Sequence, residues 1–346
     1  MTGIALFAAL ALAGCGRDPV FSREAYVFGT RVQILITGVP GPRAAAGADA
    51  VLAEFDRLHQ TYHAWQPSPL TTVNDAFAAG RAAPVSAELA DLIRTAQVLG
   101  RQGDGLFDPG IGRLVALWGF HSDHFDARLP DPARLQTLLD NHPSVQDVHL
   151  ATCADGPGIC AISTNRSVAL DFGGYLKGVA LDHAATLLKE RGITHALINI
   201  GGNILALGDK DGHPWRIGIQ HPRNSGPMAS LDLRDGEAIG TSGDYQRYFE
   251  LNGRRYCHLI DPRSGEPASG TQSVTILIPP GPHAGALSDA ASKPLFIAAD
   301  GWPKEAQNMG VNQALRVDAQ GRVQVTAALR RRLTFETPNL RISELP

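Results

Sequence analysis

Short apolar runs that recur in adjacent pairs, with helical stretches falling between the groups, constrain the fold of this chain more than any other feature. Residues 26–38, YVFGTRVQILITG, read as a strand carrying Phe28-Gly29-Thr30 early in it. Residues 196–207, ALINIGGNILAL, read as an apolar strand broken at Gly201-Gly202, where a bend or a close backbone approach is implied. Further short strands are expected at 168–172, 215–220, 229–233, 238–240 and 274–278. Helical spacing places Val51, Leu52, Phe55 and Leu58 on one face of 44–64, which runs into a polar loop bracketed by Ser68 and Asn74. Ser86 caps a helix reaching about residue 103. Others are expected over 131–139, over 176–191 with Gly192 as its stop, and over 284–298 with Pro294 as a kink site. Strands paired like hairpins, with helices between the groups, favour an α+β fold of mixed, mainly antiparallel sheets with flanking helices over a doubly wound parallel sheet.

A length of 346 residues at 44% hydrophobic content is enough for a full core, in one large domain or two intimately joined lobes. A net charge of −3 with scattered Lys and Arg gives no basic field, which excludes nucleic acid as the expected partner. The apolar run 4–13 is too short to span a bilayer. It ends in Leu12-Ala13-Gly14-Cys15, which resembles a bacterial lipobox with Cys15 as the lipidated residue. The expected organisation is a signal segment over 1–15, a tether over 16–24 and a folded domain of two packed lobes over 25–346. The protein would be periplasmic and anchored to the membrane by lipid. In that oxidising compartment Cys153 and Cys160 are close enough in sequence to close a small loop by a disulfide. On an extended segment Cys257 and His258 point to opposite faces, so Cys257 is expected in the core rather than as a nucleophile served by His258.

Residues 238–265, AIGTSGDYQRYFELNGRRYCHLIDPRSG, carry more polar punctuation than a structural hairpin needs. Thr241, Ser242 and Asp244 fall in one turn and His258 and Asp261 near another. His258 is the best candidate general base, because imidazole titrates near neutral pH. Asp261 either orients it or caps the backbone of Arg263 and Ser264 in a Pro turn; both readings fit the residues. Gly173-Gly174 precedes a helix carrying Lys177, an arrangement that suits phosphate binding and equally a tight strand-to-helix turn. Tyr62, His63 and Trp65 offer aromatic surface for a planar ring, with a core role for Trp65 equally open. Gly110-Ile-Gly112 lacks the third glycine of a dinucleotide fingerprint and follows a Pro turn rather than a strand.

Taken in order, several words of the sequence resemble one family. They are Phe28-Gly29-Thr30, Ser68-Pro-Leu-Thr-Thr-Val-Asn74, Phe107-Asp108-Pro109 through Trp118-Gly119-Phe120, and Asp171-Phe-Gly-Gly-Tyr-Leu-Lys177-Gly178 with Asp182. Asn199-Ile-Gly-Gly-Asn203, Thr241-Ser-Gly-Asp244-Tyr245 and His258-x-x-Asp261-Pro-Arg-x-Gly265 complete the set. The chain thereby resembles the ApbE-type FAD:protein FMN transferases over nearly its whole length. The resemblance implies an ApbE-like, T-fold-like architecture. It also implies transfer of FMN from FAD to a Ser or Thr hydroxyl of an acceptor flavoprotein, a subunit of a membrane redox complex, with AMP released and Mg²⁺ near the pyrophosphate. Carried over, it makes His258 and Asp261 catalytic and assigns flavin-nucleotide contacts to Thr30, Ser68, Asn74, Asp108, Gly173, Lys177, Asp182, Thr241, Ser242 and Asp244. The metal would take the Gly174 carbonyl and Asp289, with Lys293 standing where the family has a ligating Thr. An ammonium cannot ligate Mg²⁺. At i, i+4 on a helix, Asp289 and Lys293 share a face and can pair. Three outcomes stay open: Lys293 swings away, its charge stands in for the metal, or FAD is bound without turnover. The rival functions are an FAD pyrophosphatase using water and a non-catalytic FAD-binding or flavin-trafficking lipoprotein.

Overall fold

A computed structural model of the chain describes residues 20–122, 126–154 and 156–345; Cys15 and the lipobox lie outside the described residues. The expected first strand is a hairpin. Strand Phe21–Val27 pairs antiparallel with Thr30–Ile36, and Phe28 (φ 56°) and Gly29 (φ 69°) make the reversal. Two consecutive positive-φ residues are what a tight hairpin turn of the primed type requires. Residues 21–24, expected in the tether, therefore belong to the sheet. Gly201 (φ 59°) and Gly202 (φ 96°) likewise do more than bend a strand, because they reverse Ala196–Ile200 onto Asn203–Leu207.

These hairpins open a nine-stranded sheet in the order Phe21–Val27, Thr30–Ile36, Ala196–Ile200, Asn203–Leu207, Ala238–Gly243, Thr271–Ile278, Ala314–Asp318, Val323–Thr326 and Ile342–Leu345. Only its last pair is parallel. Both faces are covered, which is why the central strands are buried at nearly every position rather than at alternate ones. Ile198, Ile200, Val274 and Ile276 face one core, shared with helices Gly41–Thr61, Leu176–Glu190 and Ala284–Ile297. Leu197, Ile239, Leu277 and Leu315 face the other. That second core is closed by a small sheet of Trp215–Gln220, Pro227–Leu233 and Thr334–Phe335. A third cluster stacks Trp118 on Tyr256 at 5.7 Å and Phe249 on Tyr256 at 5.1 Å. The α+β architecture and its mainly antiparallel pairing are as expected.

Helix Ala284–Ile297 is the innermost of the helices. A Cβ on Gly240 would lie 2.0 Å from the Ser288 carbonyl oxygen, and one on Gly178 would lie 2.2 Å from that of Gly285. The helix thus touches backbone on two sides. Asp182 accepts from the Gly285 and Ala286 amides at 2.8 and 2.9 Å and so caps its first turn.

Two local expectations change. Residues 69–78 are a helix, not a loop, because Ser68 and Thr71 form a capping box ahead of Pro69 at its first position. Residues 168–172 are not a strand; a single bridge from Ala169 to Ile111 gives way to a 3-10 turn, Phe172–Gly174, when Asp171 accepts the Gly173 amide. The Cys153–Cys160 disulfide is present, across the end of hairpin Val148–Thr152 and Ile159–Ser163.

Gly240→Ala pushes a methyl group into the Ser288 carbonyl and should cost about 3 kcal/mol or more, the upper end for overpacking a core. A thermal or denaturant melt indistinguishable from wild type would show that the helix is free to move.

Candidate active site

The hairpin turns, the Gly173 turn and helix Ala284–Ile297 converge on a cavity of about 720 Å³, a size that suits a cofactor-sized ligand. The Phe28-Gly29-Thr30 and Gly201-Gly202 turns line one wall, and Asp171, Gly173, Gly174 and Lys177 another. Thr241, Ser242, His258, Asp289 and Lys293 complete it.

At its base is a fully buried carboxylate between two ammonium groups. Asp289 is 0% exposed. Its Oδ2 accepts the Gly178 amide at 3.0 Å, with Lys177 Nζ 3.8 Å away. Lys293 Nζ donates to the Asp289 carbonyl at 2.7 Å and forms an ion pair with Oδ1. Burial acts to raise the Asp289 carboxyl, but Lys177 and Lys293 outweigh it and hold it below the usual range. Burial lowers the Lys293 ammonium, with Asp289 opposing.

His258 hydrogen-bonds through Nδ1 to the Arg247 carbonyl at 3.2 Å. A carbonyl only accepts, so Nδ1 carries the proton and Nε2 keeps its lone pair. Burial, reinforced by the Arg247 and Lys177 cations, pushes the imidazole down to about 3, so it is neutral at physiological pH. Its neighbour Cys257 faces the core as expected, and burial pushes the thiol up to about 12. That thiol is not a nucleophile.

The structure brings Thr30, Asp108, Gly173, Gly174, Lys177, Thr241, Ser242, His258, Asp289 and Lys293 to the cavity. Within that set, Asp108 has its carboxylate committed to the Gly110 and Val145 amides at 2.7 and 2.8 Å and to the Ser144 hydroxyl. It braces the wall. The Ser242 hydroxyl is bonded to that of Ser292 at 2.7 Å.

Five other candidates do not line the cavity, and each has a structural task. Ser68 is a helix cap. Asn74 bonds both backbone groups of Leu170, at 2.7 and 3.0 Å. Asp182 caps helix Ala284–Ile297. Asp244 forms a two-pronged ion pair with Arg223 at 2.6 and 2.7 Å. Asp261 accepts the Arg263 amide at 2.9 Å and its guanidinium, so the turn reading describes it, and the group on His258 Nδ1 is Arg247 instead. Tyr62 also belongs to the core, bonded to Glu88, while Trp65 lines the cavity.

Residue-by-residue reasoning missed Asp171, Asn203, Tyr245 and Arg247, all of which line the site. Asp171, Asn203 and Tyr245 stand inside the family words, so their position was the available signal. Arg247 has none in the sequence; its guanidinium is placed by the Phe120 and Ser122 carbonyls, each at 2.9 Å.

A half-open pocket with two ammonium groups, a neutral imidazole and glycine turns on its walls suits a large anionic ligand. Comparison with known proteins shows the family. Residues 28–315 match the ApbE family. The FAD:protein FMN transferase of Rhodobacter capsulatus is 39% identical over 96% of this chain, which spans 63% of that protein's length. The FAD:protein FMN transferase of Salmonella typhimurium is 30% identical over 91% of this chain and 88% of its own. Among solved structures, the ApbE protein of Thermotoga maritima superposes with a TM-score of 0.79 at 29% identity, covering 91% of this chain and 99% of that one. The Pseudomonas stutzeri flavinyl transferase ApbE superposes at 0.78 with 26% identity, covering 92% and 98%. The chain belongs to the ApbE family.

Because the folded pKa of His258 lies below its ordinary value of 6.5, the native state binds fewer protons there than the unfolded chain does. The stability it contributes is complete above pH 6.5 and is lost as pH falls toward about 3. His258→Asn should therefore flatten the fall in melting temperature over that window, and a slope equal to wild type would mean the imidazole is solvated.

Proposed function

We propose that this chain transfers FMN from FAD to a Ser or Thr hydroxyl of an acceptor flavoprotein and releases AMP. The observation that carries the reading is the placement of His258, with Nε2 unprotonated, on the same cavity as the Lys177–Asp289–Lys293 cluster. The acceptor oxygen attacks the FMN phosphorus, an O–P bond forms, and the P–O bond to the AMP phosphate breaks. The electron pair leaves with AMP, and the hydroxyl proton passes to His258 Nε2. Lys177 offsets charge on the pyrophosphate. An imidazole that titrates near 3 is a weak base in the free protein. The negative phosphates of bound FAD raise it toward the working range, so substrate itself readies the base.

The Mg²⁺ implied by the family resemblance would need the Asp289 carboxylate and the Gly174 carbonyl. In this chain Asp289 Oδ2 is held by the Gly178 amide and Oδ1 by Lys293, and the ammonium in the third position has no lone pair to give. These residues do not fit a hard dication, and no step of the mechanism runs through one.

A lipid anchor on Cys15 would hold the site beside membrane-bound acceptors in the periplasm, a redox-complex subunit being the expected type. The Cys153–Cys160 disulfide supports an oxidising compartment. Water in place of the acceptor hydroxyl would give a pyrophosphatase, and loss of the base would leave a binding protein. Incubation with FAD and a Thr-bearing acceptor peptide tests all three. Covalent FMN on the peptide with matching AMP is expected; free FMN on an unmodified peptide, or intact FAD, would overturn the transferase reading. His258→Asn should lower AMP release by about 10²–10⁴-fold, the usual worth of a general base.

A further inference from the structure

We infer that the Lys293 ammonium occupies the place and does the electrostatic work of the metal, so that this enzyme turns over without a divalent cation. The inference rests on the reading that the cavity cleaves the FAD pyrophosphate.

The position of Lys293 is forced from several sides. Its helix lies in backbone contact on two sides, Gly240 against the Ser288 carbonyl and Gly178 against that of Gly285, so it has no room to shift toward either neighbour. Its side chain is only 12% exposed and lines the cavity rather than the outer surface. A buried ammonium needs a partner, and Asp289 supplies two acceptors, its carbonyl at 2.7 Å and its Oδ1. Swinging Lys293 out to admit a metal would forfeit both and leave Asp289 paired with Lys177 alone.

The charge count points the same way. Lys177, Lys293 and Asp289 sum to +1, facing the space where the pyrophosphate would lie. A dication beside Asp289 would stand against the two ammonium groups already paired with that carboxylate, and like charges repel strongly where water is scarce. Without it, the cluster already offers what the reaction needs. Two N–H-bearing cations line the cavity beside Asp289, held in place before substrate arrives and placed to stabilise charge that would grow on the departing AMP phosphate. Asp289 thereby changes task from metal ligand to anchor for the two ammonium groups. The bonds made and broken are those of the transfer step, and the acceptor proton still goes to His258.

The test uses the full chain after exhaustive chelation, with Mn²⁺ as an EPR probe, AMP release from FAD as the rate, and melting temperature as the control for folding. Wild type should leave Mn²⁺ free and should release AMP at the same rate in EDTA and in Mg²⁺. Lys293→Met removes the charge and offers no oxygen; it should lose about 10²-fold in rate, a loss Mg²⁺ does not restore. Lys293→Thr should bind Mn²⁺ and recover turnover only when Mg²⁺ is added. Stoichiometric Mn²⁺ binding by wild type, loss of its turnover in EDTA, or a Lys293→Met enzyme as fast as wild type would each overturn the proposal. A Lys293→Thr protein that binds no Mn²⁺ would overturn the claim that the lysine excludes the metal. Should either variant fail to fold, the two wild-type measurements decide alone. If no form releases AMP under any condition, the transfer reading fails and the electrostatic role with it, while the Mn²⁺ signal separately decides whether the pocket admits a dication.

Discussion

A helix can lie in contact with neighbouring backbone only where side chains have been removed, and Gly178, Gly240 and Gly285 remove them around helix Ala284–Ile297. The Asp289–Lys293 side of the cavity depends on that close approach. It sets the depth at which Asp289 sits, brings Oδ2 within 3.0 Å of the Gly178 amide and carries Lys293 to the cavity wall. Asp182 secures the N-terminal end of the same helix by accepting the Gly285 and Ala286 amides. An interior packed at crystal-like density leaves little room for such an element to adjust.

The electrostatics follow from burial. A carboxylate with no exposed surface is costly unless paired and hydrogen-bonded, and Asp289 has both an amide and two cations. The same dryness acts on His258 with the opposite sign: it keeps the imidazole neutral and its Nε2 able to accept a proton. One cavity therefore holds an ammonium paired with a carboxylate beside an imidazole that stays uncharged. The difference lies in partners, since Lys293 has a carboxylate and His258 has only a carbonyl and neighbouring positive charge.

Much of this was legible along the chain. The apolar pairing of strands led to an α+β fold, the capping Ser86 placed its helix, and the Cys153–Cys160 bond was expected from close spacing. Where the reading differed, short-range chemistry had been undervalued. Phe28-Gly29 and Gly201-Gly202 are reversals, and Ser68-Pro69 with Thr71 starts a helix. Asp182, Asp244 and Asp261 carry the residue type of a ligand-binding site, but a carboxylate is equally suited to capping a helix, pairing with Arg223 or holding a Pro turn, and in sequence these uses look alike.

The sequence by itself determined which groups are available: the family words from Phe28 to Gly265, the His258 imidazole, and a lysine four residues after Asp289 where the family resemblance calls for a hydroxyl. A helical repeat of 3.6 residues already puts Lys293 beside Asp289. Only the tertiary structure decided that the pair is buried, that Lys177 closes in from a second helix, and that Arg247 rather than Asp261 sets the tautomer of His258. The reason is physical. Pairing within one helix is a local matter written in spacing, whereas desolvation and the meeting of groups 111 residues apart, as in Gly178 with Asp289, exist only once the chain has folded around them.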